Sequence, residues 1–352
     1  MKRQSTKIAL TAALTALLAG TVACQHQAQQ TEETTDGGGL PGEGVTVTSG
    51  ISVLEELFQT EVLNIGLREL GYEVEPPQEL EYAPMHTAIG NGDLDYTAVH
   101  WEKLHESFYQ ESGGDEQLER IGELVPNALQ GYQIDKATAD EYEINNIAQL
   151  QEPDNAQLFD ADGDGQADLT GCNPGWGCER VIEHHLDVYE LRNTVEHNQG
   201  QYFALMGDTI TRYEQGESIL FYTWTPLWVS AVLQPGEDTI WLEVPRTDLP
   251  EEQKATAEAT TVSVNGQQKN LGFAVDQIGV LTNQEFADNN PAAVKFFELV
   301  KIPIADINAQ NKLMREGEDT EEDIRRHAQE WVEENQEQFD SWVEQAKEAA
   351  AE

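Results

Sequence analysis

Short apolar strand segments that alternate with amphipathic helical stretches constrain this chain more tightly than any other feature. Val45 and Val47 alternate as in a strand, and Leu54, Leu57, Phe58, Val62, Ile65 and Leu70 then recur at helical spacing until Gly71. Residues 72–74 begin another strand, and the rhythm returns around the apolar runs 96–101 and 219–224. The pattern predicts an α/β fold with helices flanking sheets, and no internal repeat is visible.

The chain has 352 residues, enough for an export segment and two lobes. Residues 1–23 read as a signal peptide, with Lys2, Arg3 and Lys7 ahead of the apolar run 8–19. Residues 24–44 form a polar tether, and Cys24 ends a lipobox-like run in which Thr21 stands where leucine is usual. Lipidation of Cys24 competes there with plain cleavage and release. The lobes are expected at 45–133 and 134–244, with 245–352 returning to the first. The crossing is read at 130–135 (QGYQID), followed by a helix around 138–142, and the return at 241–245 (WLEVP). Residues 246–270 show no period and are expected to be a surface excursion. Asn290 and Pro291 open a helix, and a final single helix carries Ile324, Ala328, Trp331, Asn335, Phe339, Trp342 and Ala346.

Acidic residues number 65 against 20 Lys and Arg, a formal net charge of -45. The summed field repels phosphate backbones and anionic lipid, which excludes nucleic-acid binding. Self-repulsion of this size becomes tolerable when salt shortens the screening length to roughly 3 Å near 1 M, so the surface reads as adaptation to a saline exterior. With 39% hydrophobic and 8% aromatic residues, a disordered acidic protein is disfavoured.

Ligands in α/β sheets gather beyond the carboxyl ends of strands, and Trp101 and Trp224 stand at two such ends. A third tryptophan, Trp176, lies in the glycine-rich turn 171–178 (GCNPGWGC), which feeds a helix carrying Val181, Ile182, Leu186 and Tyr189. The amides of Gly177 and Cys178 at that helix start can grip a carboxylate without a cationic side chain. A quaternary ammonium group donates no hydrogen bonds, so aromatic faces hold it, at about 0.5 to 2 kcal/mol per ring. His105, four residues after Trp101, can donate to a bound carboxylate, although a capping or surface role is the plainer alternative. Trp331 and Trp342 are explained by core packing, and Trp228 and Trp241 are left as structural. His184 and His185 face different directions on a helix and read as ordinary surface or half-buried residues.

Cys172 and Cys178, close together beside proline and glycine in an exported chain, favour a disulfide over a metal or redox pair. Asp160, Asp162, Asp164 and Asp168 match the opening of a calcium loop, but Gly171 stands where the bidentate glutamate is required. A structural calcium ion is therefore weighed against an acidic turn. No other cofactor is implied.

The stretches 97–105 (TAVHWEKLH), 170–179 (TGCNPGWGCE) and 221–226 (FYTWTP), with 130–132, 146–150, 197–200 and 305–311 (ADINAQN), resemble the periplasmic glycine betaine/proline betaine-binding proteins of ProU-type ABC importers. The likeness spans roughly residues 41–345. It implies a two-lobed periplasmic-binding-protein fold of the second class, closing over its ligand and presenting it to a membrane permease. By the same resemblance Trp101, Trp176 and Trp224 box the ammonium group, while His105 and the Gly177 and Cys178 amides hold the carboxylate. A monomer is expected. Choline, carnitine or ectoine are rival ligands, because an aromatic cage tolerates varied remainders. A secreted hydrolase is the rival of a different class, without a G-x-S-x-G or H-E-x-x-H motif to support it. A calcium-dependent adhesion protein would rest on the acidic loop alone.

Overall fold

The computed structural model describes residues 39–264 and 266–351. The expected signal peptide and Cys24 lie outside the described residues, as does most of the tether. Nine strands form one sheet in the order Gln78–Glu79, Ser49–Ile51, Tyr96–Trp101, Asp276–Asn283, Leu118–Asp135, Leu220–Thr225, Ala167–Thr170 and Val195–Asn198, with Thr239–Trp241 also paired to Leu118–Asp135.

Leu118–Asp135 joins the two halves of the molecule. Its first part runs antiparallel to Asp276–Asn283, which pairs in turn with Tyr96–Trp101. Its last part pairs with Leu220–Thr225 and Thr239–Trp241. Asn127 sits at the handover with φ of 60°, a left-handed conformation that asparagine tolerates better than most residues. Residues 130–135, read from the sequence as a strand of their own, are thus the end of a far longer one. Helices pack against strands in both halves, and the result is the two-lobed α/β fold expected from the sequence.

The predicted early helix forms as a 3-10 turn, Leu54–Glu56, leading into Leu57–Glu69, and buries Leu57, Phe58, Val62, Leu63 and Leu67. The segment 246–270 is more regular than expected: a 3-10 stretch at Glu251–Ala259 precedes a hairpin pairing Thr261–Val264 with Gln267–Asn270.

Two expectations are corrected. The final helix is two helices, Glu321–Glu334 and Gln336–Ala349. The break is at Asn335, whose backbone leaves the helical region at φ -109° and ψ 20°; its backbone N–H still closes the last turn onto the Trp331 carbonyl at 3.0 Å, and its side-chain amide caps the same oxygen at 2.8 Å. The periodicity survives because both helices bury one stripe, including Trp331, Phe339 and Trp342. His185 is not a surface residue but fully buried; its Nε2 donates to the Asp248 carbonyl at 3.0 Å and its Nδ1 accepts from Tyr132 Oη at 2.9 Å. Burial holds its pKa down at about 3, so it is neutral. His184 stays half-buried, 2.8 Å from the Asp248 carboxylate.

Candidate functional site

The site is assembled by strand ends and one helix start. Trp101 is the last residue of its strand and lies opposite Ile278, and Trp224 lies opposite Gln130 on the long strand. Between them Cys172 and Cys178 are joined in a disulfide, closing a short loop in which Gly175 has φ of 89°, a value that suits glycine. Trp176 is the N-cap of the helix Gly177–Val188, so Gly177 and Cys178 present its first two amides. Neither has a partner among the turn and cap hydrogen bonds of the described residues. A side chain at Gly177 would meet the Leu104 carbonyl at 2.8 Å, so only glycine lets the helix start approach the loop after Trp101 this closely.

Trp101, His105, Trp176, Gly177, Cys178 and Trp224 all line one cavity of about 50 Å³. Trp176 and Trp224 meet edge to face at 5.8 Å, and Tyr82 meets Trp176 at 5.4 Å. Trp101 and Trp176 are nearly buried. The Trp176 indole N–H is tied to the Glu81 carboxylate at 2.9 Å, which leaves its ring face, not its edge, for a ligand.

His105 is buried, and its Nδ1 accepts from the Trp101 amide at 3.3 Å. That bond places the ring proton on Nε2, so the side chain is a neutral donor. Burial pushes its pKa well below the ordinary histidine value, followed by the effect of neighbouring His86. A donor that does not ionise can hold a carboxylate without adding net charge beside an ammonium group.

Sequence reasoning missed several residues of the wall: Glu55, Glu56, Tyr82 and Tyr222 among them. Glu56 accepts from Tyr82 Oη at 2.6 Å and from the Ser52 amide at 2.6 Å. Burial nevertheless raises its pKa to about 7. Glu55 is likewise raised to about 7 by burial, against a hydrogen bond from Trp228 Nε1 at 3.2 Å. Trp228, left as structural, therefore holds a cavity-lining carboxyl, and the Arg315 guanidinium lies 5.2 Å from its ring. Tyr222 was within a motif already singled out; the two glutamates carry no signal among 65 acidic residues.

The acidic loop stands apart from this cavity. Asp160, Asp162 and Asp168 bring carboxylate oxygens within 4.8 Å of one another, while Asp164 groups with Asp162 and Glu196 instead. Asp160 accepts from the Gly163 and Gly165 amides, and Asp168 from the Ala161 amide and Asn198 Nδ2.

The family described as the substrate-binding domain of ABC-type glycine betaine transport systems matches residues 45–334. The chain belongs to this family. Among relatives of the glycine betaine substrate-binding family, the glycine betaine-binding periplasmic protein of Dickeya dadantii is 50% identical over 312 residues, covering 88% of this chain and 92% of the relative. The glycine betaine/proline betaine-binding periplasmic protein of Escherichia coli is 49% identical over 308 residues, covering 87% and 92%. Similar solved structures include lactococcal OpuAC in its closed-liganded conformation with glycine betaine, with a TM-score of 0.64, 18% identity and coverage of 85% of this chain and 99% of that one. A choline-binding protein in complex with choline gives 0.67, 16%, 87% and 96%. At such identities the likeness concerns the fold alone. As a member of this substrate-binding family the chain is a binding protein of ABC transport, not an enzyme.

Proposed function

We propose that the chain captures glycine betaine or proline betaine outside the cytoplasmic membrane and delivers it to the permease of an ABC importer. One observation carries this reading: three tryptophans meet, in a single cavity, the Nε2–H of His105 and the amides of Gly177 and Cys178. Aromatic faces suit a methylated ammonium group and the three donors suit a carboxylate, and a betaine needs both. The cavity carboxyls Glu55 and Glu56, pushed up to about 7, are largely protonated in mildly acidic medium and offer a bare cation such as choline little charge there. Domain closure over the ligand, with lobe boundaries near 133/134 and 244/245, would signal the permease.

Export through residues 1–23, acylation of Cys24, a monomeric state and life in brine belong to the same proposal. A calcium ion in the Asp160–Asp168 loop would be structural, and a calcium-dependent rise in Tm at unchanged betaine affinity is its signature. Isothermal titration in high salt with glycine betaine, proline betaine and choline tests the central claim. Tight binding of the betaines alone supports cage and grip together; equal binding of choline removes the grip, and binding of none removes the ligand class.

A further inference from the structure

Behind the cage wall lies a cluster of which ligand capture uses only His105. His86, His100 and His105 are at most 1% exposed, and one nitrogen from each lies within 4.8 Å of the others. Buried polar side chains are ordinarily paired, and the bookkeeping here fails at one atom. His86 Nδ1 lies 2.7 Å from the Tyr82 carbonyl, which can only accept, so His86 carries its proton there and its Nε2 is a bare lone pair. That lone pair faces His100 Nδ1 at 3.0 Å, which must therefore carry the shared proton. His100 Nε2 is then a second lone pair, buried and without any partner.

We propose that His86, His100 and His105 form a three-imidazole site for one divalent transition-metal ion of the zinc, cobalt or nickel class. Imidazole nitrogens are ligands these ions prefer, and a ring whose far N–H is anchored on a backbone carbonyl, as in His86, is the usual outer support of such a ligand. Tetrahedral zinc with nitrogens at 2.0–2.1 Å separates two ligand atoms by about 3.3 Å, so the His86–His100 pair must give up its hydrogen bond, open by a few tenths of an ångström and turn both rings until their lone pairs converge on the ion. The proton balance closes within the cluster: as the metal takes His100 Nδ1, its proton moves to the orphaned His100 Nε2, and His105 ligates through Nδ1 in exchange for the Trp101 amide hydrogen bond while keeping its proton on Nε2, so none is released. Burial already keeps all three rings neutral, as ligation requires. Arg120, whose charge lowers the proton affinity of His86 and His100, is paired with Glu106 at 2.6 Å through one guanidinium nitrogen, while its Nε is buried without a partner. Access is through the cage, whose wall His105 forms. The site shares only that one side chain with the proposed betaine grip, and its existence does not depend on which ligand the cage takes, although entry requires an empty cage.

The test uses the full chain, stripped with chelator and free of betaine. It is titrated with zinc by calorimetry and with cobalt by visible absorption. One ion per chain with a nitrogen-ligated cobalt spectrum is expected, and His86→Phe and His100→Asn should each weaken it by more than about 100-fold, beyond the loss of an outer-shell partner. Asp160→Asn should leave it unchanged. Absence of metal binding in the parent, survival of it in both histidine variants, or its loss in Asp160→Asn overturns the site. Betaine titration of each variant reports separately on whether the cage is intact.

Discussion

The Trp101 backbone amide donates to His105 Nδ1 at 3.3 Å, while the His105 amide donates back to the Trp101 carbonyl at 2.9 Å. One turn of chain thus sets both a cage wall and the tautomer of the side chain beside it, leaving Nε2–H free for a ligand.

If that donor holds a carboxylate, His105→Ala should weaken glycine betaine binding by about 1.5 to 3 kcal/mol, the range for a hydrogen bond to a charged group. Choline, which has no carboxylate, should lose little. Titration of both ligands against both proteins measures the difference, and equal losses would assign His105 to shape alone.

Trp176→Ala removes a ring face and frees the Glu81 carboxylate it binds at 2.9 Å. Betaine affinity should fall by about 1 to 3 kcal/mol. An unchanged dissociation constant in a folded variant would remove Trp176 from the cage.

Glu56 has its pKa raised from 4.5 to about 7 by burial. The stability gained by keeping it protonated is fully present below pH 4.5 and is lost as pH rises through 7. Against Glu56→Gln, the parent should therefore lose about 3 kcal/mol between those limits, at 1.36 kcal/mol per unit. His86 and His185, lowered to about 4 and about 3 by burial, act in the opposite sense. Their contribution is present above pH 6.5 and disappears as pH falls through those values. Denaturant midpoints of parent and variant across this range check both slopes.

Reduction of the Cys172–Cys178 bridge, or Cys172→Ser with Cys178→Ser, opens a loop with a sequence separation of 6. Chain entropy alone predicts a loss of about 2 kcal/mol for so short a loop. The larger effect should be on ligand: the bridge anchors the turn that aims the Gly177 and Cys178 amides, so betaine affinity should fall while the far-ultraviolet spectrum persists. Full affinity after reduction would show the helix start to be self-supporting.

With a net charge of -45, the folded chain should gain several degrees in Tm between low salt and 2 M sodium chloride through screening. A flat melting profile across that range would count against the saline reading of its surface.

Much of this was legible before any fold was known. Strand-end tryptophans and a glycine-rich helix start are local signals, since each depends on a few consecutive residues and the chemistry of strand and helix termini. The family resemblance rests on the same short motifs, and the match over residues 45–334 bears it out. The errors arose where local pattern and local cause part company. Asn335 keeps the helical period in step while its backbone leaves the helical region, and His185 looks polar until Tyr132 and Asp248 are seen to satisfy it.

The sequence by itself determined which elements form, which termini carry aromatic rings and free amides, and that the surface is acidic, because helix starts, strand periods and charge are properties of neighbouring residues. Only the tertiary structure decided that Glu55, Glu56 and Tyr82 share the cavity with the tryptophans, and that His86 stands 3.0 Å from His100 behind it. The cavity joins residues far apart in the chain, through a strand, Leu118–Asp135, long enough to serve both halves of the sheet, whereas His86 and His100 meet by the packing of a helix beside the strand that follows it. Their altered proton affinities come from burial, a quantity that exists only once the chain has closed around them.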